Sequence, residues 1–114
     1  MQKVGIIGMG NMGRGMLHSL RRGGFAVAGY DAVTGTRERL ASEGFIVCST
    51  ISELCAQSDL VVLSLPTAAI IETVIAGEGG VLAHGRAGMV VVDTSTSHPE
   101  TSRRMAARLA AKGV

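Results

Sequence analysis

Short apolar runs alternate along this chain with stretches in which apolar residues recur every three or four positions. Lys3 to Gly8 is a compact apolar run closed by glycine, as a buried parallel strand should be. From Asn11 the period changes: Met12, Met16 and Leu20 fall on one helical face beside Gly13 and Leu17, and Gly23-Gly24 stops the helix. Phe25 to Tyr30 reads as a second strand ending at Asp31. Strand, glycine-rich turn, helix and strand together occupy about thirty residues, the size of one βαβ unit.

The alternation continues to the last residue. Arg37 to Glu43 is a short helix ended by Gly44, and Phe45-Ile46-Val47 a brief strand. Thr50 and Glu53 form a capping box for a helix through Ala56. Leu60 to Leu65 is a buried strand stopped by Pro66, and Ile71, Val74 and Ile75 mark one face of the next helix. After a connection from Gly77 to Gly88, Met89 to Asp93 is a further apolar strand. Ser97 with Glu100 and Pro99 opens a helix that turns Met105 and Leu109 inward. Gly113 is its end cap and Val114 reads as the first residue of another strand. This rhythm predicts an α/β fold, a Rossmann-type doubly wound parallel sheet, incomplete at its C-terminal end. Residues 1–114 are thus expected to be a single truncated dinucleotide-binding domain.

The chemistry concentrates in the first turn. Gly8-Met9-Gly10-Asn11-Met12-Gly13 follows a predicted strand, opens a predicted helix and precedes Asp31 by eighteen residues. Gly8 allows a sharp exit from the strand, Gly10 lets a pyrophosphate approach the backbone, and Gly13 lets helix and strand pack closely. The helix N-terminus adds unpaired N–H groups and partial positive charge. At the end of the second strand the Asp31 carboxylate can accept from adenosine ribose hydroxyls and repel a 2′-phosphate, which favours NAD over NADP. Against this stand Arg37 and Arg39, which begin the next helix within reach of a phosphate; they are read as solvated helix charges. S-adenosylmethionine is disfavoured by Ile6 and Ile7, where such enzymes carry an acid. Flavin is disfavoured by the short side chain of Asp31.

Composition narrows the classes. A net charge of +2 gives no reason to expect a nucleic-acid partner. Cys48 and Cys55 are the only cysteines and lack metal-ligand or disulfide-framework spacing, so no metal is expected and both are read as packing residues. No segment is long enough to span a membrane, and the N-terminus runs directly into a strand, so a soluble cytoplasmic protein is expected. His18, His84 and His98 have no evident chemical partner; His98 is read as a surface residue at a helix start.

Val4 to Gly13, with Asn11-Met12 between the second and third glycines, closely resembles the opening of the β-hydroxyacid dehydrogenases. That family includes 3-hydroxyisobutyrate dehydrogenase and tartronate semialdehyde reductase and is related to 6-phosphogluconate dehydrogenase. Leu65-Pro66-Thr67 and Asp93-Thr94-Ser95-Thr96-Ser97-His98-Pro99 agree with it in order and spacing. The resemblance implies that Leu65 and Pro66 contact the nicotinamide end, and that Thr96 touches the nicotinamide side and frames the substrate beside Ser95. Without the resemblance, Ser95 and Ser97 read equally as caps of the following helix. Ile70 lies near a position where some members carry a polar cofactor contact. The resemblance further implies a small hydroxy acid substrate, a homo-oligomeric intact enzyme, and a catalytic lysine and helical domain absent from this sequence; Lys112 lacks the motif around that lysine. No catalytic residue is therefore expected within the chain, which leaves open a non-catalytic NAD-sensing module, an imine reductase or a phosphogluconate-type dehydrogenase.

Overall fold

The computed structural model describes residues 3–85, 87–94 and 99–114, the side chains of Asn11 and Pro99 excepted. Its elements run β1 (Lys3–Ile7), α1 (Asn11–Arg22), β2 (Ala26–Tyr30), α2 (Thr34–Ser42), β3 (Ile46–Val47), α3 (Ile51–Gln57), β4 (Leu60–Leu63), α4 (Ala68–Ala76), α5 (Val81–His84), β5 (Val90–Asp93) and α6 (Pro99–Ala110). All strand pairs are parallel, in the order β3-β2-β1-β4-β5. This is the doubly wound α/β arrangement that the alternation predicts. The chain leaves β1 toward β2 and β3, then crosses back to β4 on the other side of β1.

The pleat sends alternate residues to two separate cores. Val4, Ile6, Val27 and Val62 pack with Leu17 of α1, Leu40 of α2 and Phe45. Ile7, Ala28, Val61 and Leu63 face Leu54, Ile71, Ile75, Val81, Met105 and Leu109 on the opposite side. Two strand glycines mark where this packing is tightest. A Cβ on Gly5 would overlap Ser58 Oγ and lie 2.9 Å from Leu54 Cγ, and one on Gly29 would lie 2.9 Å from Met9 Sδ.

Three helices end alike. Gly24, Gly44 and Gly113 have φ of 85°, 86° and 80°. The N–H of the next residue (Phe25, Phe45, Val114) donates to the carbonyl of Leu20, Leu40 or Leu109. This is the Schellman ending, with the apolar residue after glycine facing the leucine three positions inside the cap. It explains one boundary difference: Phe25 and Phe45 belong to helix endings, and their strands start one residue later.

Other expectations need correction. Met12 is 58% exposed, so the inward face of α1 centres on Gly13 and Leu17, with Met16 and Leu20 at its margins. α2 begins at Thr34 rather than Arg37; its first turn carries no apolar residue that a periodicity could register. β4 pairs only through Leu63, before Ser64 and Leu65 turn into the cleft described below. The Gly77–Gly88 connection contains α5, whose Val81 is fully buried. Finally, β5 is apolar without being enclosed: Val90 and Val92 are 47% and 39% exposed, because α1 and α2 cover the other end of that sheet face.

Candidate functional site

In an open parallel sheet, ligands bind beyond the carboxyl ends of the strands, where the strand order reverses. Here that point lies between β1 and β4, and a cleft of about 550 Å³ opens there. Its walls come from the turn after β1, the Tyr30–Val33 segment after β2, Ser64–Pro66 after β4, Thr94 after β5, and Ile70 and Val74 of α4. The volume is that of a small-molecule site, and the walls are mostly apolar with one carboxylate among them.

The three glycines of the first turn answer to different constraints. Gly8 has φ +99°, and a Cβ there would overlap the Ser64 carbonyl oxygen; a Cβ on Gly13 would overlap the Gly8 carbonyl oxygen. Both are dictated by the folded chain itself. Gly10 is not: its φ of −69° and ψ of −171° suit any residue, and an added Cβ would meet no atom within 4 Å. Gly15 and Gly35 are equally uncrowded but lie outside the cleft, whereas Gly10 lines it. Gly10 also sits at the N-cap of α1 and offers no side-chain cap to the first-turn N–H groups. The space beside Gly10 and these donors suit an anion approaching backbone. Met9 and Met12 both line the cleft but differ in burial: the Met9 side chain is buried against Gly29, whereas Met12 is exposed.

Asp31 lies at the rim of this turn, as its place after β2 requires. Its carboxylate is engaged on both sides: Oδ2 accepts the Met9 N–H at 2.9 Å and Oδ1 the Val33 N–H at 2.9 Å. The Asp31 carbonyl accepts from Arg37 Nη1 at 2.6 Å; Arg37 Nη2 donates to Thr34 Oγ1, and its guanidinium lies 5.9 Å from the Tyr30 ring centroid. Arg37 is therefore a half-buried brace of the β2–α2 turn, which corrects its reading as a solvated charge. Arg39 is exposed, as expected.

Leu65 and Pro66 line the cleft, with Leu65 beside Gly8 of the glycine turn. Ser95 and Thr96 lie outside the described residues, as do Ser97 and His98. Their neighbour Thr94 is fixed at the cleft by its N–H and Oγ1, both donating to the Leu63 carbonyl at 2.9 and 2.7 Å. Sequence reasoning missed Thr94, Val33 and Val74 as cleft residues and Gly29 as the seat of Met9. Val33 is 60% exposed, an apolar residue left out of both cores; Ile70, singled out by the resemblance, is 40% exposed at the cleft.

A site of this form can hold an elongated anion with a sugar and an apolar ring. It offers backbone donors for phosphate, a carboxylate with acceptor capacity left for hydroxyls, and apolar walls for planar rings. The electrostatics are local: one carboxylate, the partial charge of the α1 N-terminus, and Arg37 behind the turn.

Known proteins share this sequence pattern and fold. The sequence profile of the family described as "NAD binding domain of 6-phosphogluconate dehydrogenase" matches residues 3–114. 2-(Hydroxymethyl)glutarate dehydrogenase of Eubacterium barkeri is 38% identical over 112 residues, covering 98% of this chain and 37% of its own length. Among solved structures, Mycobacterium tuberculosis 3-hydroxyisobutyrate dehydrogenase with L-serine has a TM-score of 0.85 at 28% identity, over 99% of this chain and 38% of its own. A reductive aminase from Aspergillus terreus in complex with NADPH and ethyl levulinate has a TM-score of 0.81 at 25% identity, over 98% and 38%. The chain thus spans little more than a third of the length of the relatives it matches.

Proposed function

Given that this chain belongs to the family of 6-phosphogluconate dehydrogenase NAD-binding domains, we propose that residues 1–114 are the dinucleotide-binding part of an NAD-dependent 3-hydroxyacid dehydrogenase. Gly10 carries the reading: neither its backbone angles nor any protein neighbour requires glycine there, and it lines the cleft at an uncapped helix start. A pyrophosphate resting on the N–H groups of Asn11, Met12 and Gly13 supplies the missing requirement. Asp31 accepts from the adenosine ribose, and Leu65 and Pro66 lie against the nicotinamide end. Thr96 and Ser95 frame the substrate there.

Bound NAD supplies the hydride acceptor. The substrate class proposed for the intact protein is a small 3-hydroxy acid such as 3-hydroxyisobutyrate or glycerate, with the proton-transferring lysine and the helical domain outside these 114 residues. A homo-oligomer acting in the cytoplasm completes this reading. Among the described residues, no helix is long and apolar enough to cross a membrane.

NADP is the competing cofactor, because Arg37 stands behind the Asp31 turn and structural neighbours include complexes with NADP+ and with NADPH. The carboxylate of Asp31 opposes it, since a 2′-phosphate beside it would place like charges together. Calorimetric titration of the chain with NAD and NADP tests the reading. NAD should bind more tightly, and Asp31→Ala should weaken NAD by at least about tenfold and NADP by less. Absence of binding to either dinucleotide would sink the proposal; tighter NADP binding would reverse the cofactor assignment.

A further inference from the structure

One carboxylate joins two loops that are far apart in sequence. Asp31 Oδ2 holds the Met9 N–H of the glycine turn and Oδ1 holds the Val33 N–H of the β2–α2 turn, both at 2.9 Å. Neither end of this bridge is loose. The Met9 side chain is buried against Gly29, the Gly8 N–H donates to the Tyr30 carbonyl at 3.0 Å, and Arg37 fixes the Asp31 carbonyl. The Met9 N–H is thus committed to Asp31 and unavailable to a phosphate. The donors left for an anion begin one residue later, at Gly10 and the first turn of α1.

We infer that Asp31 is a positioning residue for the pyrophosphate cradle, holding the glycine turn through the Met9 N–H, in addition to any contact it makes with a ribose. This rests on the dinucleotide reading above and deepens it. The two tasks are compatible on one side chain. A carboxylate has about four acceptor positions; the two backbone bonds leave the others for hydroxyls. The consequence is coupling: a change at Asp31 reaches both the ribose end and the phosphate end, so dinucleotides lose affinity even where their ribose chemistry is still satisfied.

Asp31→Glu separates the tasks. A glutamate keeps a carboxylate able to meet a ribose diol. Its extra methylene moves both oxygens, so one side chain no longer bridges the Met9 and Val33 N–H groups. The experiment pairs amide hydrogen exchange of the full unliganded chain with calorimetric titration against NAD and NADP, for wild type, Asp31→Glu and Asp31→Ala. Exchange at Met9 should be at least about tenfold faster in both variants. Asp31→Glu should bind both dinucleotides about tenfold more weakly while keeping the wild-type preference between them. Wild-type affinity in Asp31→Glu, or slow Met9 exchange in Asp31→Ala, would overturn the inference. Failure of the wild-type chain to bind either dinucleotide would overturn the proposed function instead, and the ligand-free exchange result would still decide whether the tether exists.

Discussion

α1 and α4 begin at the same edge of the sheet, after the neighbouring strands β1 and β4, and they begin in opposite ways. α4 closes its own N-terminus: Thr67 Oγ1 accepts the Ile70 N–H at 3.2 Å. α3 does the same through Thr50 Oγ1 and the Glu53 N–H at 3.1 Å. α1 starts at Gly10, which offers no side-chain cap to its first turn. A helix that caps itself has satisfied one of its orphan donors internally; one that does not retains them for another partner. α2 and α5 also begin without a side-chain cap, at Val33 and Gly80, so an open start alone does not set α1 apart; what does is the bare, unstrained Gly10 at the edge of the cleft.

The strongest way to break this comparison is to attack the turn that delivers α1 to the cleft. In Gly13→Ala the new methyl meets the Gly8 carbonyl oxygen, backbone against backbone, and no rotamer relieves it. We expect a loss of at least about 3 kcal/mol in denaturant unfolding. A cost under about 1 kcal/mol would mean that the turn relaxes freely and that its geometry carries no information about binding.

Gly10→Ser makes α1 resemble α4. Serine supplies the missing cap, and the space beside residue 10 accepts it, so stability should rise by a few tenths of a kcal/mol. The same hydroxyl occupies the approach to the backbone, so NAD affinity should fall by about thirtyfold or more in calorimetry, roughly 2 kcal/mol. Undiminished affinity would assign the free space at Gly10 to something other than phosphate. The converse change, Thr67→Ala, should cost about 1 kcal/mol of stability with NAD affinity held within about twofold. A large loss of affinity there would erase the distinction between the two helix starts.

Much of this contrast was legible in the residues. Gly8, Gly10 and Gly13 have the spacing of a phosphate-binding turn, and Thr50-x-x-Glu53 announces a capped helix, although Glu53 Oε2 accepts from the Ser49 N–H rather than from that of Thr50. The recurring Leu-x-x-x-Gly-apolar segments at Leu20, Leu40 and Leu109 were readable as helix ends. Long-range pairings were not. Nothing local says that Gly29 is bare because Met9 lies on it, that Gly5 makes room for Ser58, or that Asp31 reaches back to the Met9 N–H. Periodicity is silent on how β5 is covered. An apolar strand reads the same whether both faces are covered or one is open, and only the placement of α1 and α2 shows that Val90 and Val92 are left outside.

The pH dependence of stability tests what surrounds a self-capped helix start. A helix N-terminus normally favours a thiolate. At the start of α3 the opposite holds: Cys48 is pushed up to about 11, chiefly by burial, then by the Glu53 carboxylate and by Cys55. Glu53 reaches back to the Ser49 N–H, beside Cys48, so capping sets a negative charge where the helix would otherwise have stabilised one. The unfolded thiol, at the reference value of 9.0, loses its proton first as pH rises. The native state then binds more protons than the unfolded state, and stability falls from about pH 9 to about pH 11, by at most about 1.4 kcal/mol per pH unit for one group. The measurement is the difference in unfolding free energy between wild type and Cys48→Ala across that window, in which contributions common to both chains cancel. The alkaline slope should be shallower in the variant. Parallel curves would mean that the thiol ionises as readily in the folded chain as in the unfolded one, so that neither burial nor the Glu53 charge holds its proton.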